Sequence, residues 1–160
     1  MAVSRLLACV AARRRVAYVF LVDGHVRDWR VSEKAANSPL DAAELTQVWI
    51  NALTPDILVT ERIDDDFRKG PRVKAIIRAI ASTAAHNYLL DVSVKREQRY
   101  RNKYEEAEAL ASLHPEVRAW LPRKRRFFDH EPRNIVLFEA LSLAQAVLDD
   151  PSMNLAKAMG

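Results

Sequence analysis

The dipeptide Asp23-Gly24 is the tightest constraint on how this chain can fold. Both residues tolerate the left-handed backbone of a two-residue type I′ turn, and that turn matches the twist of antiparallel strands. The flanking segments suit it. Residues 15–22 read Arg-Val-Ala-Tyr-Val-Phe-Leu-Val, rich in β-branched and aromatic side chains. Residues 25–32 carry Val26, Trp29 and Val31, which give strand character although polar and apolar residues do not alternate cleanly. A third apolar run, residues 4–11, precedes these across a short break at Ala12, Arg13 and Arg14. The chain therefore opens with three successive strands joined by tight turns.

Helices and strands alternate afterwards. Ser38 is a good helix N-cap, Pro39 suits the first helical position, and Asp41 comes three residues after the cap. Leu45, Val48, Trp49 and Ala52 recur at helical spacing until Pro55 stops the helix. Residues 56–60 form a short buried strand that delivers Glu61 at its end. After Asp64-Asp65-Asp66 and the break Gly70-Pro71, a second helix carries Val73, Ile76, Ile77, Ile80 and Ala84 on one face. Residues 88–94 read as a strand and 102–113 as a helix capped by Asn102. Pro115 and Pro122 interrupt the next stretch, and residues 134–148 read as the last helix, with Ile135, Phe138, Leu141 and Ala144 at helical spacing. Three antiparallel strands and then alternating helices and strands argue for an α/β fold, a mixed sheet with helices on both faces. Residues 1–150 are expected to make one domain, with 151–160 expected as a loosely ordered tail.

Composition narrows the setting. A chain of 160 residues suits a single domain with a proper core. It holds only 3 glycines and no low-complexity run that would read as a linker. No apolar stretch approaches the ~20 residues of a membrane-spanning helix. Cys9 is the single cysteine and lies in the apolar run Leu6-Leu7-Ala8-Cys9-Val10, which suggests a buried, reduced thiol and a cytoplasmic setting. The basic, acid-free start up to Arg15 shares features with mitochondrial transit peptides, but it is poor in serine and is better used as a strand. The formal net charge of +4 permits a polyanionic partner without demanding one. The basic residues are clustered: Arg13, Arg14 and Arg15; Lys95, Arg96, Arg99, Arg101 and Lys103; Arg123, Lys124, Arg125 and Arg126. Each cluster reads either as a solvated surface or as a phosphate-binding patch.

Four places carry a resemblance to a known family. Ile57-Leu58-Val59-Thr60-Glu61 resembles the fourth strand of RuvC-type Holliday-junction resolvases, members of the RNase H-like superfamily, which ends in a catalytic glutamate. Ser93-Val94-Lys95-Arg96 resembles the family's strand exit, where a lysine helps bind DNA. Asn102-Lys103-Tyr104-Glu105 resembles the start of the following helix, with a basic residue near the phosphates. Glu139-Ala140-Leu141-Ser142-Leu143-Ala144 resembles the last helix, whose acidic residue helps bind metal. The resemblance spans residues 4–148 and implies an RNase H-like mixed sheet, a nucleic-acid partner (DNA rather than RNA), a homodimer, and Mg²⁺ or Mn²⁺ as cofactor of an endonuclease acting on structured DNA. The first strand departs from the pattern. The family places its central metal-binding aspartate there, and this chain has Cys9 or Val10.

Glu61 and Glu139 are thus the candidate catalytic and metal-binding pair, each also readable as half of a structural ion pair. Two carboxylates can hold one hydrated Mg²⁺ but are a poor frame for two metals. Lys95, Arg96, Arg99, Arg101, Lys103, Arg125 and Arg126 are the candidate nucleic-acid contacts. His130 and Glu131 precede the last helix, as a general base and an acid or as helix-start residues. Two functions are open to such a chain: a nucleic-acid-binding protein that cuts with a metal, or a degenerate RNase H-like domain with a structural or protein-interaction role.

Overall fold

The computed structural model describes residues 4–97, 99–123 and 132–150. Three antiparallel strands open the chain: β1 (Arg5–Ala11), β2 (Val16–Val22) and β3 (His25–Ser32). The β2–β3 turn is the two-residue hairpin expected, with Asp23 at φ 52° and Gly24 at φ 82° between paired Val22 and His25. A short 3-10 turn at Lys34–Ala36 leads into α1 (Pro39–Leu53), where the Ser38 side chain accepts the Asp41 N–H at 3.0 Å. Then come β4 (Ile57–Glu61), α2 (Pro71–His86), β5 (Leu90–Val94), α3 (Lys103–Leu113), a 3-10 segment (Pro115–Trp120) and α4 (Ile135–Asp149). The fifth strand starts later than the sequence suggests. Tyr88 takes a left-handed φ of 59° as α2 ends, and the N–H groups of Tyr88 and Leu89 still bond to the carbonyls of Ala85 and Ala84.

The sheet order is β3-β2-β1-β4-β5, with β1, β4 and β5 parallel and β1–β2–β3 antiparallel. Both faces are covered, as the element order requires. Leu6, Ala8, Val10 and Val59 pack with Leu137, Phe138 and Leu141 of α4 on one face. Leu7, Cys9, Leu58, Trp49, Ile76 and Ile80 form the other core, beneath α1 and α2. The near-continuous apolar character of β1, β2 and β4 comes from this two-sided burial. Among the described residues, no helix is long and apolar enough to cross a membrane.

Candidate functional site

The parallel strands β1 and β4 end side by side, and open α/β sheets bind ligands outside such carboxyl ends. Their register pairs Ala8 with Val59, so two residues further Val10 lies beside Glu61 on the face covered by α4. The first-strand position facing the carboxylates is therefore held by Val10, which is 1% exposed, while Cys9 points into the opposite core. Burial there pushes the Cys9 thiol up to about 12.

Glu61 ends β4, and Glu139 lies in the first half of α4, buried on the helix's apolar face. The structure brings them together through a residue that the sequence did not single out. The Nζ of Lys69 donates to Glu61 Oε1 at 2.9 Å, to the Ala11 carbonyl at 2.9 Å and to Glu139 Oε2 at 3.4 Å. The other Glu139 oxygen meets Lys103 Nζ at 3.1 Å. Burial alone would raise the Glu139 pKa. The positive charge of Lys69, Arg96 and Lys103, with a hydrogen bond from Lys103, outweighs burial and holds the carboxyl below its usual range.

Lys69 is positioned by the loop between β4 and α2. The N–H of Asp66 bonds to Asp64 Oδ1, and Phe67 packs against the core beneath α2. Lys95 Nζ, at the exit of β5, reaches Asp66 at 2.8 Å and Asp64 at 3.9 Å and ties the loop to the sheet. Gly70 and Pro71 then start α2 directly after Lys69.

Above this cluster opens a cleft of about 960 Å³. Arg13, Arg14 and Arg15 of the β1–β2 turn line it together with Lys69, Lys103 and Glu139. Arg72 also borders it but is committed to the Ala36 and Asn37 carbonyls at 3.1 and 2.8 Å. The β1–β2 turn reaches the site because it extends the same strand end that supplies the Ala11 carbonyl.

The other basic candidates are dispersed. Lys103 faces the carboxylates, whereas Lys95, Arg96 and Arg99 border a separate groove of about 360 Å³ beside β5. Arg96 pairs with the buried Glu106, and Arg99 lies 3.4 Å from Glu97. Arg101 is exposed outside both hollows. Arg125, Arg126, His130 and Glu131 lie outside the described residues.

Among the described residues, the site does not fit a divalent cation while Lys69 holds its place. Glu61 Oε1 and Glu139 Oε2 already meet the Lys69 ammonium, Glu139 Oε1 meets Lys103, the first strand contributes a valine, and hard cations require several oxygen ligands. Among the described residues, no group of three or more His, Cys, Asp and Glu side chains is placed to hold a metal ion.

No family model matches the chain, and no curated protein matches it by sequence. Solved structures do match. Thermus thermophilus RuvC in complex with a Holliday junction substrate aligns over 91% of this chain and 92% of its own, at 12% identity and a TM-score of 0.64. The fowlpox virus Holliday junction resolvase aligns over 91% and 98%, at 12% identity and a TM-score of 0.58. The yeast mitochondrial Holliday junction resolvase aligns over 98% and 86%, at 12% identity and a TM-score of 0.51. With the strand order and two-sided helix packing, this likeness shows that the chain has the RNase H-like fold in its RuvC-type form.

Proposed function

We propose that this chain binds structured DNA across the cleft at the carboxyl ends of β1 and β4. The observation that carries this reading is the convergence of Arg13, Arg14 and Arg15 with Lys69 and Lys103 around one cleft. Arg13 and Arg14 are exposed at the β1–β2 turn and suit phosphate contacts, which give sequence-independent, salt-sensitive affinity. The fold adds support, since RuvC and the fowlpox resolvase have been solved with Holliday junction DNA. A junction has two-fold symmetry, so a homodimer would offer one cleft to each half. A reduced, buried Cys9 suits a cytoplasmic setting.

A second reading is metal-dependent cleavage of that DNA, with Glu61 and Glu139 as the metal-binding pair and Mg²⁺ or Mn²⁺ as cofactor. The convergence of the two carboxylates on one atom favours it. It requires the cation to displace Lys69.

The test is binding of labelled four-way-junction and duplex DNA across a salt series, with EDTA and with Mg²⁺. The expected result is binding that weakens steeply with salt. Arg13→Ala/Arg14→Ala should weaken it and lower the slope of log affinity against log salt by ~1.8, about 0.9 for each phosphate no longer neutralised. Absence of binding at low salt refutes the reading, and an unaffected double variant refutes the cleft as its path. Cleavage that needs Mg²⁺ and is lost in Glu61→Gln would establish the second reading.

A further inference from the structure

We infer that Lys69 is a built-in cation, holding the place between Glu61 and Glu139 that a divalent metal would need and making the site metal-independent. An ammonium group has three N–H donors and no acceptor. Here all three find oxygens: Ala11 O, Glu61 Oε1 and Glu139 Oε2. Among the described residues, the carboxylates of Glu61 and Glu139 face the ammonium groups of Lys69 and Lys103. A divalent ion entering this cluster competes with these ammonium groups for the same carboxylate oxygens.

The surroundings favour the lysine further. Mg²⁺ asks for near-octahedral oxygen coordination and gives up water reluctantly. The Val10 side chain offers no oxygen beside Glu61 and is itself buried in the core. The Lys69 side chain is 25% exposed, and its loop is anchored by Lys95 to Asp66 and Asp64. The lysine thus arrives on a braced segment rather than a free tail. The carboxylates become positioning groups for an ammonium at the cleft floor, and that ammonium adds to the positive lining beside Arg13 and Arg14. Lys69 holds this place whether or not the cleft takes DNA.

The test uses protein alone. Thermal unfolding of the wild type is compared in EDTA and in Mn²⁺ at matched ionic strength, alongside Lys69→Ala and Lys69→Ala/Glu61→Gln. The wild type is expected to melt at the same temperature in both. Lys69→Ala should melt lower in EDTA and recover by ~3–6 °C in Mn²⁺ at ten times its dissociation constant. The double variant should not respond, which places the recovered ion on Glu61 rather than on surface acids. A wild type stabilised by Mn²⁺ as strongly as Lys69→Ala overturns the inference, as does a folded Lys69→Ala that ignores Mn²⁺. Should Lys69→Ala fail to fold, Mn²⁺ electron paramagnetic resonance on the wild type decides. Unchanged free-ion signal against a Glu61→Gln/Glu139→Gln reference supports the inference, and extra binding by the wild type refutes it.

Discussion

Replacing Glu139 by glutamine keeps the side chain's shape and removes its charge, which isolates the contribution of the ion-pair cluster. Removing one partner of a fully buried ion pair costs ~3–5 kcal/mol, because the surviving charge is stranded away from water. Here the survivors are better placed. Lys69 keeps Glu61 and the Ala11 carbonyl, and the side chains of Lys69 and Lys103 are 25% and 43% exposed, so both regain water. The loss should therefore fall to about 2 kcal/mol, or ~4–8 °C in melting temperature for a domain of this size. The pH dependence supplies the sharper check. The folded-state pKa of Glu139 lies below its ordinary value of 4.5, so its contribution is fully present above that value and is lost as pH falls through the lower folded value. Urea unfolding of wild type and Glu139→Gln should show the full gap near neutrality and a shrinking gap below about pH 4.5. A gap that stays constant down to about pH 3, or a variant as stable as the wild type at neutral pH, would refute an ionised, paired Glu139.

Two further outcomes are expected from the fold around the site. Cys9 is 2% exposed with its thiol pushed up to about 12, so an aromatic disulfide reagent near pH 8 should label the folded protein roughly a thousandfold more slowly than the urea-unfolded chain; rapid labelling of the native state would contradict its place in the core. The Asn102 side chain accepts the N–H groups of Tyr104 and Glu105 at 2.9 Å, so Asn102→Ala should cost ~1 kcal/mol in chemical denaturation while Asn102→Asp retains most of the stability.

Local signals carried most of the architecture. The Asp23-Gly24 turn, the Ser38 cap with Pro39, and the Gly70-Pro71 break each fix an element boundary through chemistry confined to a few residues. The poor alternation of residues 25–32 has a physical origin that becomes visible only in the sheet. The register of β3 shifts opposite Phe20 and Leu21, leaving Arg27 unpaired, and this bulge lets Val26, Trp29 and Val31 reach the same core. Glu61 was legible because a charge ends an apolar strand, and Glu139 because a charge interrupts an apolar helix face. Lys69 was not. It sits in a polar loop among Asp64, Asp65, Asp66 and Arg68, where one more lysine looks like solvated surface. Its partners lie 8, 58 and 70 positions away, so only the fold reveals them. The candidate lysine Lys95 gains a different role for the same reason, since its acidic partners come from the loop that carries Lys69.

The most direct test of the metal-independent site is a crystal structure of the wild type soaked in Mn²⁺, with anomalous diffraction recorded at the manganese edge. Lys69 Nζ should remain within hydrogen-bond distance of Glu61 and Ala11, with no anomalous peak between Glu61 and Glu139. A manganese ion ligated by both carboxylates, with the Lys69 side chain swung out into the cleft, would contradict it.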